Sequence, residues 1–222
     1  MNGEGRNKMS RIKDIKFIWG DLHLGSKSLF DKIYSKTFKC KEDYYQTIIE
    51  ENNRRAGDNT VVLFLGDVGF VKDFWVLEKM KGYKILIKGN HDRYKDKVYE
   101  KYFKEIYDHP IYTHPRIIFS HVPTLVEDGI INIHGHTHEI TLAKDNYFNI
   151  CPERTGYQPV TMKWVNRRLS KFKKPSIKFL EEWFKDIQLT KPREDLVVNE
   201  DGLIDVQKSL ELRKEKENEI KL

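Results

Sequence analysis

The chain has 222 residues, 39% of them hydrophobic and 33% charged, with a formal net charge of +6. That length accommodates one full-sized domain and a modest appendage, and no apolar run approaches the ~20 residues that cross a bilayer. The polar stretch Met1 to Arg11 lacks the apolar centre of a signal peptide, so a cytoplasmic protein is expected, with residues 1–11 as a flexible extension. The positive excess lies before residue 169 and reads first as a lysine-rich solvated surface. An anionic partner, a nucleotide or a nucleic acid, is the alternative, although nothing specifically indicates nucleic acid. Cys40 and Cys151 are too few and too far apart for a zinc knuckle and are expected as free thiols.

In chain order, short runs rich in Ile, Val and Phe predict strands at Ile15–Trp19, Val61–Leu65, Lys84–Ile87, Ile117–Phe119 and Ile130–Ile133. Helices are expected between the early ones. Glu42–Arg55 places Tyr45, Ile48 and Ile49 on one face, and Lys72–Lys81 does the same with Phe74, Leu77 and Met80; Gly57 and Gly82 follow as stop signals. This alternation is the rhythm of an α/β domain, expected over 12–168. Strands at Tyr147–Cys151 and Pro159–Val165 follow closely, suggesting hairpins in a second sheet. Beyond 169, Lys171–Pro175 reads as a linker. Ser176–Gln188 aligns Phe179, Leu180, Trp183, Phe184 and Ile187 on one helical face, and Ile204–Leu222 is highly charged, an exposed helix or disordered.

Five successive strands each end in polar residues with chemistry: Asp21 and His23, Asp67, Asn90 to Asp92, His121, and His136 with His138. Ligand crevices of α/β folds form beyond strand C-termini. Mixed Asp, His and Asn donors suit borderline divalent ions, manganese first, with iron, zinc or nickel as alternatives. Taken singly, each residue is a common turn former or capping group. The order of the set is what points to a two-ion hydrolytic site.

Asp21-Leu22-His23, Gly66-Asp67, Gly89-Asn90-His91-Asp92, Ser120-His121 and Gly135-His136-Thr137-His138 occur in the order that resembles the calcineurin-like metallophosphoesterases, over about Ile15 to Val165. The stretches around Phe148-Asn149-Ile150 and Tyr157-Gln158-Pro159-Val160 look like the small bacterial and phage-type members, which makes a host cytoplasm the setting if the gene is phage-borne.

The resemblance implies two sheets sandwiched between helices in four layers, with a helical C-terminal tail. It also implies hydrolysis of a phosphate ester by an activated water. Asp21, His23 and His138 would hold one ion, Asn90, His121 and His136 the other, and Asp67 would bridge them. His91 would be the acid that protonates the leaving oxygen, and Asp92 would orient its ring. Asn90, His91 and Arg93 are the candidates to meet the substrate, and Arg154 and Tyr157, like Arg93, are candidates by their closeness in sequence to the metal motifs. His134 is expected as a strand residue or a support for the ligands, and His109 and His114 as loop residues. Ser120 stands where the family often has glycine, and Gly66-Asp67-Val68-Gly69-Phe70 lacks a downstream Asp or Arg, so substrate class does not transfer from those branches.

A phosphodiesterase on a small or nucleotide-derived substrate is the expected activity. The same site on a phosphomonoester, phosphoprotein or polynucleotide is the runner-up. A non-catalytic metal-binding module would be expected to have lost ligands, and a metallo-β-lactamase-type site fails at Thr137.

Overall fold

A computed structural model describes residues 10–173. Two sheets lie face to face, flanked by helices. The first contains β1 (Ile15–Trp19), β2 (Val61–Phe64), β3 (Tyr83–Ile87), β4 (Glu105–Tyr107) and β9 (Val160–Thr161), in the order β4-β3-β2-β1-β9. The second contains β5 (Ile111–His114), β6 (Ile117–Ser120), β7 (Ile131–His134) and β8 (Tyr147–Asn149), in that order. Strands β1 to β4 are mutually parallel, and β9 runs antiparallel against β1.

Alternation along β2 explains the layering. Val61, Leu63 and Leu65 face the second sheet and meet Ile117, Phe119, Ile131 and Ile133. Val62 and Phe64 point the other way, into a layer built from α2 (Lys41–Asn53) and α3 (Trp75–Lys79). Such a strand is apolar on both faces, as buried parallel strands must be. Helix α2 buries Tyr44, Tyr45, Ile48, Ile49 and Asn52, a stripe of helical period. Asn52 is satisfied there: its side-chain oxygen accepts from the Trp19 indole at 3.2 Å and its amide donates to the Lys81 carbonyl at 2.9 Å.

The second half departs from the expected hairpins. Within the second sheet only β5 and β6 pair antiparallel, whereas β6, β7 and β8 are parallel. The expected strand Pro159–Val165 ends at Thr161, whose hydroxyl accepts from the Trp164 amide at 3.0 Å and caps α6 (Met162–Leu169). Val165 and Leu169, four apart, then fill the inter-sheet core. A β-branched, aromatic run reads as a strand locally; the cap and the core make it a helix. Strands β4 and β5 carry too little apolar pattern to be visible in sequence, and His114 closes β5 instead of lying in a loop.

At the first described residues, Ser10 and Arg11 are tied to Glu105, the Arg11 amide at 2.8 Å. At the last described residues, Arg116 donates to the carbonyls of Phe172 and Lys173, within the expected linker. The expected helices at Ser176–Gln188 and Ile204–Leu222 lie outside the described residues.

Candidate metal centre

The segments following β1, β2, β3, β6 and β7 converge at one end of the sandwich. Backbone hydrogen bonds stitch them together. The His23 amide donates to the Asp67 carbonyl at 2.8 Å, and the Gly135 amide to the His121 carbonyl at 3.0 Å. Carboxylates add further stitches: Asp67 Oδ1 accepts from the His91 amide and Asp21 Oδ2 from the His136 amide, each at 2.8 Å. The packing at Gly89 and Gly135 is close enough that a β-carbon at either position would collide with the carboxylate of Asp67 or Asp21 respectively.

Three groups of donors result among the described residues, one of them, His138, Cys151 and Glu153, sharing His138 with the first of the two at the strand ends. Asp21, His23 and His138 present atoms within 4.8 Å of one another, and so do Asp67, His121 and His136. Asp67 Oδ2 stands between them, 3.4 Å from His23 Nε2 and 3.4 Å from His121 Nε2. Asn90 joins the second group, its Oδ1 2.8 Å from His121 Nε2. The ring of His121 is oriented from behind, with Nδ1 2.8 Å from the Leu65 carbonyl.

The cost of this arrangement is visible in two ways. Among the described residues, five other than glycine have positive φ, and four are His23, Asp67, His136 and His138, at 45°, 46°, 64° and 46°. Left-handed backbone at non-glycine residues is strained and clusters at functional sites. Electrostatics adds to it. Asp21 is wholly buried, and burial, followed by the neighbouring Asp67 charge, holds its carboxyl well above the usual carboxylate range. Burial likewise raises Asp67, depresses His23 far below the usual imidazole value and brings His121 to about 4. Buried Asp21 Oδ1 and His23 Nε2 have no hydrogen-bond partner. Orphaned lone pairs of oxygen and imidazole nitrogen, held close together in a strained crevice, fit divalent cations.

His91 is exposed at the mouth, its ring centroid 5.6 Å from that of His23. Asp92, expected to orient that ring, has its hydrogen bonds on backbone amides instead. The buried Asp92 carboxylate accepts from the Val68 amide at 3.0 Å and the Gly89 amide at 2.9 Å, so it ties the β2 and β3 loops together; burial pushes its pKa up to about 6. Arg93 is exposed and donates from Nε to the Asn90 carbonyl at 3.1 Å. Arg154 is exposed and bonds Thr141 Oγ1 at 2.7 Å. Tyr157 is a core residue, packed on Tyr34, Phe38 and Tyr44. His134 is buried within β7, with Nδ1 2.8 Å from the Gly135 carbonyl.

A pocket of about 420 Å³ opens beside His23, with Lys27, Lys41 and Lys72 on its rim and Phe30 and Tyr45 in its wall. Reasoning from sequence missed Glu153, whose carboxylate lies 2.9 Å from His138 Nδ1. It stands in no motif, and only its position in space singles it out.

Comparison with known proteins follows the same lines. Residues 17–211 match the family described as calcineurin-like phosphoesterase. Over 173 residues the chain is 28% identical to the uncharacterized protein MJ1445 of Methanocaldococcus jannaschii, covering 71% of this chain and 92% of that protein. The crystal structure of the protein of unknown function AQ665 from Aquifex aeolicus superposes with a TM-score of 0.55 at 22% identity, over 68% of this chain and 97% of that one, a likeness of fold.

Proposed function

The chain belongs to the calcineurin-like phosphoesterase family, and from that premise we propose that it hydrolyses phosphodiesters of a small or nucleotide-derived substrate at a site for two divalent ions. Metal-dependent hydrolysis of phosphate esters is the general chemistry of the family, and clusters of metal-ligand type are present. In this reading Asp21, His23 and His138 hold one ion, Asn90, His121 and His136 the second, and Asp67 serves both. The single observation that carries it is Asp67 Oδ2, equidistant at 3.4 Å from an imidazole of each group. Manganese is the first choice for this donor set, followed by iron, zinc and nickel.

When bound, such a pair supplies Lewis-acid charge that acidifies water and neutralises phosphoryl oxygens. The chain's own residues do the rest. The rings of His121 and His138 are held from behind, by the Leu65 carbonyl and the Glu153 carboxylate, so they need little reorganisation when substrate arrives. His91, exposed beside His23, donates a proton to the leaving oxygen, a role that needs reach more than burial. Arg93 adds positive charge beside it. The pocket next to His23 falls within the size range of small-molecule sites, and its lysines and aromatic wall suit the remainder of a nucleotide-like ester.

The test is to reconstitute the metal-stripped chain with Mn²⁺ and assay bis(p-nitrophenyl) phosphate, p-nitrophenyl phosphate, cyclic nucleotides, dinucleotides and single-stranded DNA. Faster turnover of diesters is expected. Hydrolysis of monoesters alone would reverse the substrate preference, and hydrolysis of none would remove the enzymatic reading.

A further inference from the structure

Glu153 begins no motif, yet it is the partner of a residue proposed as an ion ligand. It lies in α5 (Pro152–Thr155), a single turn that proline opens directly after Cys151. Its carboxylate is 8% exposed, with Oε1 2.9 Å from His138 Nδ1, while Oε2 has no hydrogen-bond partner. A carboxylate only accepts, so His138 Nδ1 carries the hydrogen and Nε2 keeps its lone pair for a cation.

The same segment grips His138 a second time. Asn149, at the end of β8, donates to the His138 carbonyl at 2.6 Å and to Thr137 Oγ1 at 2.8 Å. His138 is therefore held at backbone and ring together, in a left-handed conformation of φ 46° that a free loop would leave. The other donor group is built differently: His121 Nδ1 is hydrogen-bonded to the neutral carbonyl of Leu65 at 2.8 Å, with the Asp21 carboxylate outside hydrogen-bond distance at 3.6 Å. A carboxylate behind an imidazole raises its basicity as a ligand more than a neutral carbonyl does.

From this asymmetry we propose that Glu153 is a positioning residue that makes the Asp21, His23 and His138 group the tighter of the two divalent-cation sites. The inference rests on the two-ion reading above and adds which site fills first, and why.

The experiment uses the full chain, stripped of metal and titrated with Mn²⁺ by calorimetry. The wild type should show two binding events of unequal affinity. Glu153→Ala should weaken the tighter event by about 10–100-fold and leave the other unchanged, with Glu153→Gln intermediate because it keeps an acceptor and loses the charge. Should the alanine variant fail to fold, the near-isosteric glutamine variant carries the comparison. Equal affinities in folded variants and wild type would overturn the proposal.

A long-range ¹H–¹⁵N spectrum of the metal-free chain separates this failure from that of the two-ion reading. His138 should be the Nδ1–H tautomer in the wild type and a mixture in Glu153→Ala; an Nε2–H tautomer in the wild type would overturn the positioning role whatever the metal stoichiometry. Uptake of a single ion with His138 in the Nδ1–H form would instead sink the two-ion reading and leave the ring's orientation by Glu153 standing.

Discussion

Two regions of this molecule are almost equally buried and physically opposite. Between the sheets, Ile18, Leu63, Ile85, Phe119 and Ile133 are fully enclosed, and none has left-handed backbone. At the strand ends, Asp21, Asp67 and His121 are nearly as enclosed, but they hold shifted protons, orphaned lone pairs and strained neighbours. Burial alone therefore says nothing about role. The core gains free energy from burial, while the crevice loses it by desolvating carboxylates and imidazoles. Substitutions in the two regions should thus separate stability from activity.

The sharpest division comes from Asp67→Asn. This change weakens both donor groups at once, so activity should drop by more than the about 10²–10⁴-fold that a general acid contributes, and metal analysis should find fewer than two ions per chain. Full occupancy of both positions in that variant would contradict the bridging assignment.

His91→Ala comes next. Turnover should decrease about 10²–10⁴-fold while two ions remain bound and the melting temperature holds, because the ring lies at the exposed mouth. Loss of metal in this variant would make His91 a ligand and not the acid.

Leu63→Ala tests the other region. It opens a cavity between the sheets and should cost about 2–5 kcal/mol in denaturant unfolding, with turnover per folded molecule unchanged. A large change in turnover at constant fold would show that core and crevice are not separable.

The smallest effect is expected from Asp21→Asn in the metal-free chain. Burial, then the charge of Asp67, raises the Asp21 pKa in the folded state, so the native chain holds a proton that the unfolded chain releases near pH 4. Its contribution is fully present below that pH and is lost as pH rises toward the raised folded value. Removing the carboxylate should therefore stabilise the metal-free protein at pH 7, read as a higher denaturation midpoint than wild type, while weakening ion binding at its group. Depressed histidines act with the opposite sign. His121 and His134, brought to about 4 by burial, contribute stability that is present above about pH 6.5 and lost as pH falls through 4. A metal-free stability profile flat between pH 4 and 8 would remove this account of the crevice.

Much of this was legible locally. Buried parallel strands need continuous apolar runs, and polar residues at their ends stand out against them. The first three strands and the helical faces of α2 and α3 were therefore readable. The polar residues that meet in the crevice were readable as a set because each follows a short apolar run of strand type. Where local pattern misled, it did so for a stated reason. Pro159 to Val165 has strand composition, yet Thr161 caps a helix and Val165 finds the core. Tyr157 lies among the family-like residues, yet three aromatic rings enclose it.

By itself the sequence determined which chemical groups the crevice would own, because donor type is a property of the side chain and strand ends are marked by local periodicity. Tertiary structure alone decided how those groups are held. Asp92 was turned onto the Val68 and Gly89 amides, Glu153 was brought behind His138 from fifteen residues away, and His23 and His138 were fixed in left-handed backbone. Those outcomes depend on which distant segments pack together, and a hydrogen bond between remote segments leaves no period in the chain.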